Sequence, residues 1–248
     1  MCVPLISPTK KNSIKVGRST VENLQVLYED NHIIAVNKRP GDIVQGDKTG
    51  DEPLSDTVKA FLKKKYNKPG NVFTGVAHRI DRPVSGVVLF AKTSKALARL
   101  NAMFQAKEIE KTYWAAVPGV PEEDSGTLVH FLKKDAAKNK SRAVKSGSSG
   151  AKKAELRYRV LAVADRYTLL EVLPLTGRHH QIRAQLAAAG YPIKGDLKYG
   201  APRSNKDASI HLHARSVQFI HPVAKNPVNV TAPTPPDAIW DHFSRILG

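Results

Sequence analysis

The chain has a single cysteine in 248 residues, Cys2. An intramolecular disulfide is therefore excluded, no thiolate cluster is on hand for zinc, and a reducing cytoplasm is the expected setting. Long apolar runs are missing as well, which excludes a transmembrane helix. Met1–Lys10 has only a brief apolar patch without a cleavage-like end, so no signal peptide is read there. No Walker loop, dinucleotide fingerprint or Gly-x-Ser-x-Gly elbow appears, so no cofactor is expected. His179-His180 and His211-x-His213 have no carboxylate or thiol at ligand spacing, and no metal is expected either. Acidic residues are scarce: 22 Asp and Glu face 39 Lys and Arg, a net charge of +17. An excess of that size attracts polyanions through counterion release and long-range steering. A membrane surface is the poorer partner, because no basic amphipathic helix with large apolar anchors stands out.

What is present reads as one domain over residues 22–248, preceded by a polar, basic tail at 1–21. Strand patterns run over Leu24–Tyr28, His32–Asn37, Gly86–Ala91, Lys111–Val117, Leu156–Val163, Thr168–Leu173, His211–Phe219 and Val228–Ala232. Helical spacing appears over Pro53–Tyr66, after a cap at Thr93 or Ser94, and from His180 to Ala189 before Gly190. The two types mix without regular alternation, which predicts an α+β fold rather than a doubly wound sheet. Lys133–Lys153 carries eight Lys or Arg with Ser146-Gly147-Ser148-Ser149-Gly150. It is predicted to be an exposed, mobile loop, serving either as a connector or as a phosphate-contacting arm.

Three segments bear chemistry. Asp81 lies in the polar turn Arg79-Ile80-Asp81-Arg82-Pro83 before a buried strand. Two neighbouring arginines favour its ionised, nucleophilic form, although an Asp among Arg residues is by itself more often a structural ion pair. Thr176-Gly177-Arg178-His179-His180-Gln181-Ile182-Arg183 crowds polar groups at a turn opening a helix, where free N–H groups favour an anion. Arg178 and Arg183 do not share one helical face well, so they can address different partners, one a phosphate and the other a buried carboxylate. In Lys111-Thr112-Tyr113-Trp114, strand alternation sends Tyr113 and Trp114 to opposite faces, so that one enters the core and the other can line a cleft and stack on a base.

Together these segments resemble the RluA family of pseudouridine synthases. Asn37-Lys38-Arg39-Pro40-Gly41 is similar to its first motif, and His78–Gly86 to its signature around the catalytic aspartate. Lys111-Thr112-Tyr113 matches the Lys-x-Tyr strand. Thr176–Arg183, Tyr191–Asp196 and Tyr199-Gly200 are similar to the third motif, while Leu212–Arg215 and His221-Pro222 resemble the closing strand. The resemblance runs in order from Val26 to Ala232. It implies a pseudouridine synthase fold, a mixed, mainly antiparallel sheet flanked by helices with a central basic cleft.

It also implies roles. Asp81 would be the nucleophile, attacking ribose C1′ or uracil C6. Tyr113 would stack on the base and take part in proton removal at C5, and Arg183 would pair with Asp81. Arg79 would fill the gap left by a flipped-out uridine. Ile182 would pack beneath the base, with Lys111, Arg178 and Arg82 contacting RNA. The implied partner is a ribosomal or transfer RNA stem-loop, with no small-molecule cofactor, and nothing demands more than a monomer. Departures from the family pattern (Ile80, Arg39-Pro40, Gln45, Ala184-Gln185) remove no catalytic group but bear on substrate choice. An S4-like module is not expected, because about twenty tail residues cannot form one. The alternatives are a non-catalytic RNA-binding module retaining the fold, against which Asp81, Tyr113 and Arg183 together count, and a base deaminase, which would need zinc ligands.

Overall fold

The computed structural model describes residues 17–248. Cys2 and residues 1–16 of the expected tail lie outside the described residues. The remaining stretch is tied down: the Ser19 N–H and Oγ donate to the Asp42 carboxylate at 3.0 and 2.6 Å, and Arg18 pairs with Asp51 at 2.9 Å.

The strands are β1 (Val26–Glu29), β2 (Ile33–Lys38), β3 (Gly75–Val76), β4 (Ser85–Ala91), β5 (Glu110–Pro118), β6 (Ser125–Asp135), β7 (Lys140–Val144), β8 (Lys152–Val163), β9 (Tyr167–Pro174), β10 (Leu212–Ile220) and β11 (Pro227–Thr231). The helices are α1 (Leu54–Lys65), α2 (Ser94–Ala106), α3 (Gln181–Ala188) and α4 (Ala238–Leu247), with one 3-10 turn at Leu197–Tyr199. All eleven strands join one sheet in the order β1-β2-β4-β10-β5-β9-β8-β6-β7, with β3 on β4 and β11 on β10. Every pairing is antiparallel except β4 with β10, a mixed α+β arrangement.

Strands β2 and β4 are buried along almost their whole length because both sheet faces are covered there. Along β2, Ile34 and Val36 join the cluster that includes Leu54, Val58 and Leu62 of α1 and Ile182 and Leu186 of α3. Ile33 and Ala35 join the opposite cluster, with Ala96, Leu100 and Met103 of α2. On that second side α4 buries Trp240 and Phe243 against Ala116 and Leu169. Thr93 caps α2 by accepting from the Ala96 N–H at 3.1 Å, and Asp237 caps α4 by accepting from the Ile239 N–H at 2.9 Å. Helix α4 follows Pro235-Pro236 and shows apolar residues at helical spacing, a signal present in the sequence beyond the last element expected from it. No helix among the described residues is long and apolar enough to cross a membrane.

One expectation is corrected. Lys133–Lys153 is not a loop: it comprises the end of β6, a turn at residues 136–139, β7, a second turn, and the start of β8. Buried Leu132, Ser141 and Ala154, one on each strand, hold the strands in place among partly or fully exposed basic residues. Asn139 at φ 45° closes the first turn, and Gly147 and Gly150, at φ 82° and 74°, shape the second. Lysine-rich exposed positions hid a period-two pattern that is buried on one side only.

The parallel contact of β4 with β10 places the loop that precedes β4, and it depends on Gly86. Its φ is +113°, and a Cβ there would stand 2.2 Å from the Ala214 carbonyl oxygen, which is backbone and cannot yield. Gly86→Ala is therefore expected to lower the unfolding free energy by about 3 kcal/mol or more, measured by urea titration. A change under about 1 kcal/mol would show that the two strands can part without cost.

Candidate active site

Asp81 sits between β3 and β4 on a loop anchored from below. The ammonium of Lys38, at the end of β2, is fully buried and donates to the carbonyls of Arg39, Arg82 and Val84 at 2.9, 3.1 and 2.7 Å. Three carbonyls saturate its three donors, while burial pulls its pKa down to about 7. The Gly41 N–H adds a bond to the Arg82 carbonyl at 2.8 Å. Loop backbone, not side chain, is what Lys38 holds.

The Asp81 carboxylate meets the N-terminal part of α3. Arg183 Nη1 donates to Asp81 Oδ2 at 2.9 Å, and its Nε and Nη2 make a two-point contact with Asp196 at 2.6 and 2.8 Å. Arg183 and Asp196 are buried, whereas the Asp81 side chain is 27% exposed. Burial opposes the guanidinium charge, but Asp196 and then Asp81 outweigh it and push the Arg183 pKa above its ordinary value. The Tyr199 ring lies 5.0 Å from the guanidinium carbon. His180 caps α3 at φ 52°, with Nε2 3.5 Å from Asp81 Oδ2. Burial first, and then Arg183 and His179, outweigh Asp81 to bring His180 down to about 3, so it is neutral at physiological pH. Arg183 and His180 both face one carboxylate oxygen. Among the described residues no side-chain donor bonds the other, Oδ1.

Tyr113 comes from β5 and packs against the cluster containing Ile80 and Ile182. Burial and then the charge of Asp81 push its phenol well above the usual range, keeping it protonated. Its neighbour Trp114 faces the other side, under the Arg215 guanidinium at 4.4 Å. Ile182 is buried in the same cluster as Tyr113. Asp81, Tyr113, Ile182 and Arg183 are thus brought together from three parts of the chain.

The other expected residues lie around this centre. Arg79, next to Asp81 but exposed, has no hydrogen bond or ion pair among the described residues. Lys111 points its ammonium at the Phe104 ring, 5.7 Å away. Arg178 is exposed and donates to the Lys153 carbonyl at 3.0 Å. Arg82 turns away from Asp81 to Asp51 at 2.5 Å and Thr49 at 2.8 Å. Asp81 thus meets Arg183, 102 positions away, as the family resemblance implied, whereas its sequence neighbour Arg82 has carboxylates of its own. Lys38, His180, Asp196 and Tyr199 were given no role from sequence. Their signal was membership of the first and third motifs, but what each touches depends on tertiary contacts.

A profile of the family described as RNA pseudouridylate synthase matches residues 32–188. The chain is 32% identical over 242 residues to the ribosomal large subunit pseudouridine synthase C of Vibrio vulnificus, covering 93% of this chain and 74% of that protein. It is 33% identical over 243 residues to the tRNA pseudouridine synthase C of Vibrio cholerae, covering 91% and 96%. Among solved structures it is similar to human RNA pseudouridylate synthase domain containing 4, with a TM-score of 0.74, 23% identity and coverage of 90% and 92%. The corresponding human domain containing 1 gives 0.70 at 25% identity, with coverage of 92% and 90%.

The two carboxylates on Arg183 differ in kind. Asp196→Ala leaves a buried guanidinium half-partnered and is expected to cost about 3–5 kcal/mol of stability. Asp81→Asn, at the solvent side, should cost under about 1 kcal/mol. Urea unfolding of both variants checks this, and equal losses would contradict the division.

Proposed function

The chain belongs to the RNA pseudouridylate synthase family and is an isomerase of uridine in RNA, and we propose that Asp81 is its nucleophile. The supporting observation is the Asp81 carboxylate fixed through Oδ2 by Arg183, with no side-chain donor on Oδ1 among the described residues and its charge felt by Tyr113. A carboxylate that needs no proton removed is ready to attack as it stands. Capture of the ribose or the base lets the uracil detach, rotate and rejoin through C5. The atoms of the uridine are conserved, so no redox partner or energy source is required.

Within this proposal Tyr113 stacks on the base, and its protonated phenol takes part in moving the C5 proton. Arg183 holds the carboxylate aimed through its hydrogen bond to Oδ2. Ile182 supports the base from below. Arg79, free to move, enters the stack in place of the flipped uridine, offsetting a few kcal/mol of unstacking. Lys111, Arg178 and Arg82 line the approach of the RNA. The net charge of +17 supports phosphate binding along that approach.

The names of the relatives divide between the large ribosomal subunit and transfer RNA. We take structured RNA of these classes as the substrate, in the cytoplasm, where such RNA is modified. The site draws on residues from Asp81 to Arg183 of one sheet and its helices, which supports residues 22–248 as a single catalytic unit, and we take it to act as a monomer. Nothing in the structure favours a non-catalytic RNA-binding role.

Asp81→Asn is expected to lower pseudouridine formation by more than about 10⁴-fold, as loss of a nucleophile does. RNA affinity should stay close to that of the unaltered chain, because little contact area is removed. Sequencing of pseudouridine in RNA treated with each protein reads the first quantity, and filter binding the second. Turnover retained by the variant would exclude Asp81 as the nucleophile.

A further inference from the structure

The turn between β6 and β7 reaches the active site by side chains that the catalytic reading leaves unused. His179 Nδ1 lies 2.9 Å from Ser141 Oγ, and its Nε2 lies 3.0 Å from Asn139 Oδ1, so its ring is held by the hairpin at both nitrogens. That ring stacks on His180 with centroids 3.8 Å apart and planes 21° apart. The Ser141 N–H donates to the Tyr199 hydroxyl at 2.8 Å, and that hydroxyl lies 3.0 Å from His180 Nδ1. On the outer side Lys198 Nζ donates to the Asn139 carbonyl at 3.2 Å.

Counting protons along this chain favours one orientation. The Tyr199 oxygen accepts from the Ser141 backbone, so its single hydrogen is available for His180 Nδ1. A neutral imidazole whose Nδ1 accepts carries its proton on Nε2, the atom that faces Asp81 Oδ2 at 3.5 Å. At that distance the contact is a directed dipole rather than a full hydrogen bond, of the kind that tightens when substrate seats. The left-handed backbone of His180 is uncommon for a residue with a side chain, and it is maintained where the ring meets both partners.

We infer that the β6–β7 hairpin is a working part of the active site, in which Ser141, His179, Tyr199 and His180 relay its position to the Asp81 carboxylate. His180 and Tyr199 are thereby positioning residues. Exposed Lys134 and Lys138 on the same hairpin offer charge to an RNA phosphate, so RNA seated on the hairpin and alignment of the nucleophile are one linked event. The inference rests on the reading of this chain as an RNA-modifying enzyme with Asp81 at its centre.

The test is a double-mutant cycle in the full chain, using single-turnover rates at saturating RNA. Tyr199→Phe removes only the hydroxyl that joins the hairpin to His180. Lys134→Ala with Lys138→Ala removes the hairpin charge. Each alteration alone is expected to slow the step about tenfold, or ~1.4 kcal/mol. In the Tyr199→Phe background the lysine changes should slow it no further, while still weakening RNA affinity as much as before. Independent, multiplying rate effects would overturn the relay, as would unchanged rates in either single variant. Nitrogen-15 NMR of histidine supplies a readout without turnover. His180 should carry its proton on Nε2 in the unaltered chain and lose that fixed preference in Tyr199→Phe. An Nδ1-protonated His180 in the unaltered chain would also overturn the proposal. If the unaltered chain made no pseudouridine in any RNA, the functional reading would fall, and the NMR result would still decide the relay.

Discussion

Arg183 touches two carboxylates with one guanidinium, and most of the site follows from that arrangement. The group is buried, so its charge must be met within the protein. Asp196 meets it through two hydrogen bonds and is itself buried, which leaves the third donor direction for Asp81. The division gives the two acids different work. One neutralises a charge that could not otherwise be interior, and the other is oriented while remaining open to solvent. A planar fork can serve both at once; a single-point ammonium cannot.

The rest of the fold brings these groups to one place. Helix α3 must lie on the sheet for Arg183 to reach Asp81, and it does so through Ile182 and Leu186 in the main core. The Asp81 loop must hold its height over the sheet, and Lys38 fixes it through three carbonyls while Gly86 lets β4 approach β10. Buried histidines close the same strands: His213 Nδ1 lies 2.8 Å from Ser85 Oγ, and His211 Nε2 lies 2.8 Å from Asp237, the residue that starts α4. These contacts let a carboxylate and a guanidinium 102 positions apart meet at 2.9 Å.

Much of the architecture was legible in the sequence where burial on both faces or helical spacing made a continuous signal. The run Gly86–Ala91, the stripe of α1 and the Thr93 cap all lie within a residue or two of their expected places. The expected mobile loop failed for a physical reason: lysines and small polar residues fill the exposed positions of β6, β7 and β8 and the turns between them, and that connector-like composition overlay the burial of Leu132, Ser141 and Ala154. Within the site, the polar turn around Asp81 and the helix start at Arg178–Arg183 stood out because charged residues crowd there. Local spacing alone did not single out the arginine that meets Asp81; the family resemblance named Arg183. Arg82 is adjacent in sequence, yet Asp51 and Thr49 draw it away. The parts played by Lys38, Asp196, His180 and Tyr199 were beyond sequence reasoning because each depends on a partner brought near only by the fold.

The account stands on Arg183 aiming Asp81 by geometry and not merely lending it a positive charge. Arg183→Lys separates the two, since it keeps the charge and loses the fork. The decisive measurement is the single-turnover rate of pseudouridine formation by that variant at saturating RNA. A fall of about 100-fold or more, with RNA affinity preserved, is the predicted result, as expected when a reacting group is misplaced by about an ångström. A rate within a few-fold of the unaltered chain would contradict it.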